Sequence, residues 1–364
     1  MMRINAIQLF INSAVMMSNL FIPVLAQDLG ATDTEIGIIG AVYGASLFIS
    51  TYIFSRVTDA YSPKTLLYAG FLSATVSFFL QIFATSPLTL GVIRALVGFS
   101  IGIYPAVLML YVYNLKRSIA KFSSFMPLGW AAGNMLAGFI AIYWTLRGIF
   151  VVSSLFFALA FLITLTLPPG EIRTKKKADY FSSEILKKNW NVYFGFFLRQ
   201  IGANNVWIIF PLYLASLGAN ELEVGLIYTL NPALQFFIMR RLDRINTSTL
   251  IHAGDLFSAA AFIALIPLTV YYQAVTGMIL IALSYSFLYV GSIRMLIETN
   301  EEKGAATGLL NSSIAFATII GSLIGGVILE YYNFRAVMAM GAIFAVLGFV
   351  IVRFNSSGRH QRNS

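Results

Sequence analysis

Charge is what this sequence has least of. Only 11% of its 364 residues are Asp, Glu, Lys or Arg, against about 25% in an ordinary soluble domain. Hydrophobic residues make up 58%, so the chain reads as an integral membrane protein. Cysteine is absent, which excludes disulfides and thiolate metal sites. There is no GxxxxGKS/T phosphate loop and no HExxH metal motif, which leaves an ATP-driven pump or a zinc protease without support. The two histidines, His252 and His360, fall near the inner end of one apolar run and in the tail, where neither suits a coupled proton. No cofactor and no metal are expected, and no enzyme activity: catalytic carboxylates or histidines do not cluster at either membrane face.

What is present is a series of apolar runs of roughly 20 residues, the length a spanning helix needs. A β-barrel would instead alternate in segments of about ten. Twelve spans are expected, over 5–27, 35–56, 64–85, 88–113, 122–145, 147–168, 191–215, 221–239, 248–271, 273–296, 305–330 and 334–353. The opening run has no clear small-residue cleavage site and is taken as the first span rather than a removed signal. The longest polar stretch, PPGEIRTKKKADYFSSEILKKN, divides the spans six and six. The expected organisation is an N-terminal six-helix bundle over 1–168, a basic cytoplasmic linker over 169–189, and a second bundle over 190–364 with a short cytoplasmic tail.

The net charge of +9 follows the same pattern. Of the 24 Lys and Arg residues, 19 fall in breaks on one side of the spans. Arg147 and Arg335 fall on the other side, and Arg94, Arg199 and Arg294 lie inside apolar runs. That bias places both termini and the linker in the cytoplasm and points to a multi-pass plasma-membrane protein rather than a nucleic-acid binder.

The two halves also match at a constant offset of 188 residues. PVLAQDLGATDTEIGII lies over PLYLASLGANELEVGLI, pairing Pro23 with Pro211, Gly30 with Gly218, Glu35 with Glu223 and Gly37 with Gly225. Gly133, Gly138 and Arg147 pair in the same register with Gly321, Gly326 and Arg335. Two six-span halves running in the same direction imply a pseudo-twofold axis along the membrane normal, with a site between them near the midplane.

The loop SRVTDAYSPKTLLYAG, between the second and third spans, resembles the GxxxDRxGRR loop of the major facilitator superfamily of secondary transporters. Asp59 falls on its acid and Lys64 on its last basic position, while Ser55 replaces the first glycine and Ala60 the inner arginine. MRRLDRINTS echoes it in the second half with Asp243 and Arg244. RALVGFSIGIYP resembles the RxxxGxxxG pattern of the family's fourth helix. GNMLAG and GSLIGG resemble its small-residue segments, without their proline. The resemblance covers the whole chain. It implies an all-α membrane protein, with twelve transmembrane helices in two pseudo-symmetric bundles. It also implies alternating access by a rocker switch, and a conformational latch at Asp59, Lys64, Asp243 and Arg244. A central cavity would be lined by the first, fourth, seventh and tenth helices.

One stretch stands out in that frame. FFLRQIGANNVWIIFP carries Gln200, Asn204, Trp207 and Pro211 at i, i+4, i+7 and i+11, flanked by Arg199 and Asn205, so they share a helix face. The offset places Asn12, Met16, Asn19 and Pro23 on the matching face of the first span. With Arg94 and Tyr104 from the fourth span and Tyr285 and Tyr289 from the tenth, these are the expected substrate-binding residues. Arg199 falls about 13 Å into its span at 1.5 Å per residue. No Asp or Glu is expected at that depth, with Asp255 and Glu298 nearer the inner ends. An unpaired cation in the membrane calls for an anion, so the substrate is expected to be a small organic anion. Export of amphipathic, drug-like compounds is the alternative, and a sensor or lipid-modifying protein on the same fold is the alternative of another class. The expected partners are a small-molecule substrate, the lipid bilayer and a coupling proton or other ion, with Asp28 and Asp255 as candidate carriers, and the protein is expected to be a monomer.

Overall fold

The computed structural model describes residues 2–57, 62–114, 122, 125–168, 183–300 and 303–360. Among them there is no strand, and all the long elements are α-helices. In hydrocarbon each backbone N–H and C=O needs a partner within the chain, and a helix supplies one everywhere except at its ends. α1 runs Met2–Leu20 and, past a break at Phe21, Ile22–Asp28. α2 is Asp33–Val57 and α3 is Pro63–Leu80. α4 is Pro87–Ile103 continued by Pro105–Asn114, and α5 (Phe125–Tyr143) and α6 (Leu146–Leu165) complete the first bundle. A short helix, Ser183–Lys188, leads into α7, which is Trp190–Trp207 followed by Phe210–Ser216. α8 (Glu221–Met239), α9 (Thr247–Ala264), α10 (Ala274–Thr299), α11 (Lys303–Tyr331) and α12 (Phe334–His360) complete the second.

The 188-residue repeat is built into the backbone. The breaks at Phe21 and Ile209 each precede a helix with proline in its first turn, where a missing N–H costs nothing but the preceding helix cannot continue. Gly30 and Gly218 have φ of +83° and +91°, the left-handed turn that ends a helix and favours glycine. Thr32 and Glu35 bond each other's backbone N–H at 3.2 and 2.9 Å, and Asn220 and Glu223 repeat the reciprocal cap at 3.0 and 2.8 Å.

Ten of these helices are long and apolar enough to cross a membrane. The two spans outside that set, α7 and α9, carry Arg199, Gln200, Asn204 and Asn205 in one case and His252 and Asp255 in the other. Arg199 of α7 and Asp255 of α9 are both buried, within electrostatic reach of each other.

The spans have a basic end, with Arg3, Lys64, Lys187, Lys188 and Arg240, and an acidic end, with Asp28, Glu35, Glu221, Glu223 and Glu330. At the acidic end one hydrophobic core spans both bundles, joining Phe21, Leu25 and Ile39 to Phe210, Leu214 and Ile227. Towards the basic end each bundle has a core of its own, around Phe71 and Tyr111 in the first and Phe196 and Leu310 in the second. The seam at the acidic end is made twice. A Cβ on Gly37 would lie 2.6 Å from the Ser322 oxygen and 3.0 Å from Gly326 Cα, and one on Gly225 would lie 2.8 Å from both the Asn134 oxygen and Gly138 Cα. Gly37 with Gly326 and Gly225 with Gly138 are one contact repeated by the offset, so α2–α11 and α8–α5 cross backbone to backbone. The bundles are fused at the acidic end.

Candidate functional site

Two arginines organise the polar interior, one in each bundle. Arg94 of α4 is 4% exposed. It donates to Asn19 Oδ1 at 2.8 Å and to Gln81 Oε1 at 3.4 Å, and its guanidinium lies 4.0 Å from the Tyr43 ring centroid. Ser18 donates to the same Gln81 oxygen and Asn19 to the Tyr43 hydroxyl. Arg94 Nε has no hydrogen-bond partner among the described residues. The cage is made of neutral groups from α1, α2 and the α3 end.

Arg199 of α7 is 1% exposed. Its Nε donates to Ser258 Oγ at 2.9 Å, and its two terminal nitrogens donate to Gln200 Oε1 at 3.0 Å and Ser284 Oγ at 3.2 Å. The two serine hydroxyls also bond each other, and the Tyr285 ring lies 5.7 Å from the guanidinium. Asp255, one turn before Ser258 on α9, is within electrostatic reach of Arg199. It is fully buried, and neither carboxylate oxygen has a hydrogen-bond partner.

This corrects the expectation that no acid lies at Arg199's depth. α9 spans Thr247–Ala264, ending earlier than the apolar run suggests, so Asp255 sits at mid-helix. At 1.5 Å per residue Asp255 is about 12 Å and Arg199 about 13 Å from the starts of their helices. Arg199 therefore has a buried carboxylate beside it, and it faces the interior of its own bundle.

The other expected site residues separate into packing groups and groups near the joint. Tyr104, at the α4 break, is 5% exposed and packs on Phe71 and Phe157 with ring centroids 5.1 and 6.0 Å away. It is a core residue of the first bundle. Asn205 is fully buried and donates to the Val337 oxygen at 2.8 Å, tying α7 to α12. Tyr285 and Tyr289 stack at 5.4 Å, and Tyr289 meets Phe196 at 6.5 Å. Gln200 is occupied by Arg199.

Nearer the joint, Asn12 accepts from Trp130 Nε1 at 3.1 Å. Trp207 packs on Phe210 and Tyr228, each at 5.6 Å. Asn134 reaches across the seam to the Tyr228 oxygen at 3.1 Å, and Thr229 to the Ala131 oxygen at 3.3 Å. Gln235 donates to Asn231 Oδ1 at 2.7 Å. Asn204 Nδ2, Tyr228 Oη and Gln235 Oε1 are buried without a hydrogen-bond partner among the described residues. Sequence reasoning missed Trp130, Tyr228, Asn231 and Gln235. The i, i+4 amides at 231 and 235, inside an apolar run, were the signal that could have found the last two.

Of the latch residues, Asp59 lies outside the described residues, as does the side chain of Asp243. Lys64 donates to the Leu165 and Leu167 oxygens at 3.2 and 2.8 Å, which pins α3 to the end of α6 within one bundle. Arg244 is exposed in the Leu242–Arg244 turn. Arg294 of α10 holds that turn by the Ile245 and Leu242 oxygens at 2.8 and 3.3 Å.

Known proteins share this architecture. The chain is 30% identical over 154 residues to the multidrug resistance protein MdtG of Erwinia billingiae, covering 41% of this chain and 38% of that protein. It is 21% identical over 349 residues to an uncharacterised MFS-type transporter, MJ1560, of Methanocaldococcus jannaschii, covering 90% of each. Among solved structures, the nucleoside transporter NupG superposes with a TM-score of 0.79 at 12% identity, over 97% of this chain and 98% of that one. The human organic anion transporter MFSD10 superposes with a TM-score of 0.73 at 14% identity, over 96% and 98%. A family model, the Major Facilitator Superfamily, matches residues 5–193 and again 192–364. Twelve helices, a repeated seam and a family match to both halves have one reading: this chain is a multi-pass membrane transporter of the Major Facilitator Superfamily.

Proposed function

We propose that the chain carries uncharged amphipathic compounds bearing aromatic rings, through a site between the bundles near the midplane, by rocking the bundles about that site. One observation carries this reading. The groups left unfilled near the joint, Asn204 Nδ2, Tyr228 Oη and Gln235 Oε1, are neutral, while Arg94 and Arg199 are shut inside their own bundles at 4% and 1% exposure. A buried polar atom without a partner is expected to find one in a ligand, and Trp130, Trp207 and Tyr228 supply rings for stacking. The similarity to MdtG, a multidrug resistance protein, supports the same substrate class.

The organic-anion alternative required arginines without partners, and both now have them. It would need Arg199 to leave Ser258, Ser284 and Gln200 for the solute. In the proposed setting the protein is a monomer in the plasma membrane, with the basic end and both termini cytoplasmic, as the charge bias favours. The fused acidic end makes this the state that loads from the cytoplasm. Asp255 is the proposed carrier of a coupled proton. The test is uptake by purified protein in vesicles of two aromatic dyes matched in size, one neutral and one anionic. Transport of the neutral dye that is lost in Asn204→Leu and Gln235→Leu supports the proposal. Transport of the anionic dye alone, abolished by Arg199→Gln, overturns it in favour of the anion.

A further inference from the structure

One stripe of α7 changes its role along the helix. Trp190, Phe194, Phe197, Ile201 and Asn205 follow one another at helical spacing. Towards the acidic end the stripe meets glycine. A Cβ on Gly321 would lie 2.6 Å from the Ile201 oxygen, and one on Gly325 2.4 Å from the Asn205 oxygen, so α11 lies flat on α7. Towards the basic end the rings of Phe197 and Phe316 stack between the two helices at 5.8 Å and hold them apart. The result is a groove of about 430 Å³ lined by Leu186, Trp190, Tyr193, Phe194, Phe197, Ser313 and Phe316.

The walls of the groove are exposed, Leu186, Trp190 and Phe194 at 43%, 45% and 43%, and Phe316 also meets the Phe48 ring of α2 at 6.1 Å. Phe316 shares a face of α11 with Leu323 and Val327, at i, i+7 and i+11, and the three are 45%, 38% and 42% exposed. At the closed acidic end that face has only lipid to meet. The upper rim of the groove is charged. Asn189 joins the short helix Ser183–Lys188 to α7 across a break, with φ of −124° and ψ of 24°, donating to the Ile185 oxygen and accepting from Val192. Leu186 of that short helix lines the groove with Trp190 and Phe194, and Lys187 is the next residue along the chain. Lys187 is exposed, and beside it Lys188 is anchored on the Thr299 oxygen.

We propose that this groove is a binding site for one anionic phospholipid, its acyl chain on Trp190, Phe194 and Phe316 and its phosphate at Lys187. Charge complementarity selects the occupant: an apolar trough under a lysine, at the end of the molecule that carries most of the basic residues, favours an anionic headgroup over a zwitterionic one.

Tryptophan fluorescence tests it. The protein has four tryptophans. A full-length variant keeping Trp190 alone is reconstituted in vesicles containing acyl-brominated phosphatidylglycerol or acyl-brominated phosphatidylcholine at equal mole fraction. The expected result is at least about twofold stronger quenching by the brominated anionic lipid, reduced to the zwitterionic level by Lys187→Gln. Should the single-tryptophan variant fail to fold, the same comparison is made between the four-tryptophan protein and its Lys187→Gln form, where the headgroup preference must again fall. Equal quenching by the two lipids overturns the proposal. Quenching that ignores the headgroup but is relieved by a neutral aromatic solute also overturns it, and assigns the groove to solute dissolved in the membrane.

Discussion

The two bundles bury an arginine each, and they do so in opposite ways. Arg94 sits among neutral partners, the Asn19 and Gln81 side-chain oxygens and the face of Tyr43. Arg199 sits among Ser258, Ser284 and Gln200, with the Asp255 carboxylate in reach. The repeat does not relate them: 188 residues on from Arg94 is Ala282, and 188 back from Arg199 is Ile11. The duplicated parts are mechanical, namely the left-handed turns at Gly30 and Gly218, the paired caps and the glycine seams. The charge was placed once in each half, separately. The scaffold is symmetric and its electrostatics are not.

The strongest way to break this comparison is to remove each cation. Arg199→Gln leaves a buried carboxylate without its cation, and taking one member from a buried pair costs about 3–5 kcal/mol. Arg94→Gln leaves only neutral acceptors short of a donor, about 1–3 kcal/mol. The thermal midpoint in detergent is expected to fall further for Arg199→Gln, and an equal fall would erase the distinction. A double-mutant cycle sharpens it. Arg199→Gln with Asp255→Asn is expected to cost less than the sum of the singles by about 0.5–3 kcal/mol, while Arg94→Gln with Asp255→Asn adds without coupling.

The seams test the symmetric side. Gly37→Val and Gly225→Val each force a side chain against backbone, and overpacking of this kind costs about 1–3 kcal/mol. Both are expected to loosen the acidic end to a similar degree. Because the chain has no cysteine, a Thr34→Cys/Glu330→Cys pair reports closure without background: Thr34 N–H bonds the Glu330 carboxylate at 3.0 Å, and thiol cross-linking across it should drop in both valine variants. The smallest effect belongs to Lys64, whose place in the second half is taken by His252. Lys64→Ala loses two hydrogen bonds to carbonyls at the end of α6, about 1 kcal/mol at an exposed site, read as a minor shift of the same midpoint.

Much of the scaffold was legible in the residues. Apolar run length marked the spans, because lipid thickness dictates it, and the offset of 188 paired the glycines and prolines that make the turns and seams, because they act through the backbone alone. The site was harder to read. A helix face can be drawn from spacing, but which neighbour it meets depends on packing. Gln200 lies on the stripe that was expected to line a cavity and Asn205 flanks it, yet one serves Arg199 and the other bonds α12. Asp255 was missed for a different reason. Its distance from the inner end was right to within one residue, but against a run taken to continue to 271 it looked shallow, whereas α9 stops at Ala264 and leaves Asp255 at its midpoint. Tyr104 likewise meets Phe71 and Phe157, which only the packing decides.

The acidic end has one core shared by the bundles, where Phe21, Leu25 and Phe210 meet, and to open, that core must admit water. Hydrating apolar surface raises heat capacity, and its free-energy cost shrinks as temperature falls. Hydrating that core is therefore a contribution that cooling favours, and the balance between the two states carries a temperature dependence set by the apolar area uncovered at the acidic end less the area that the basic end buries as it closes.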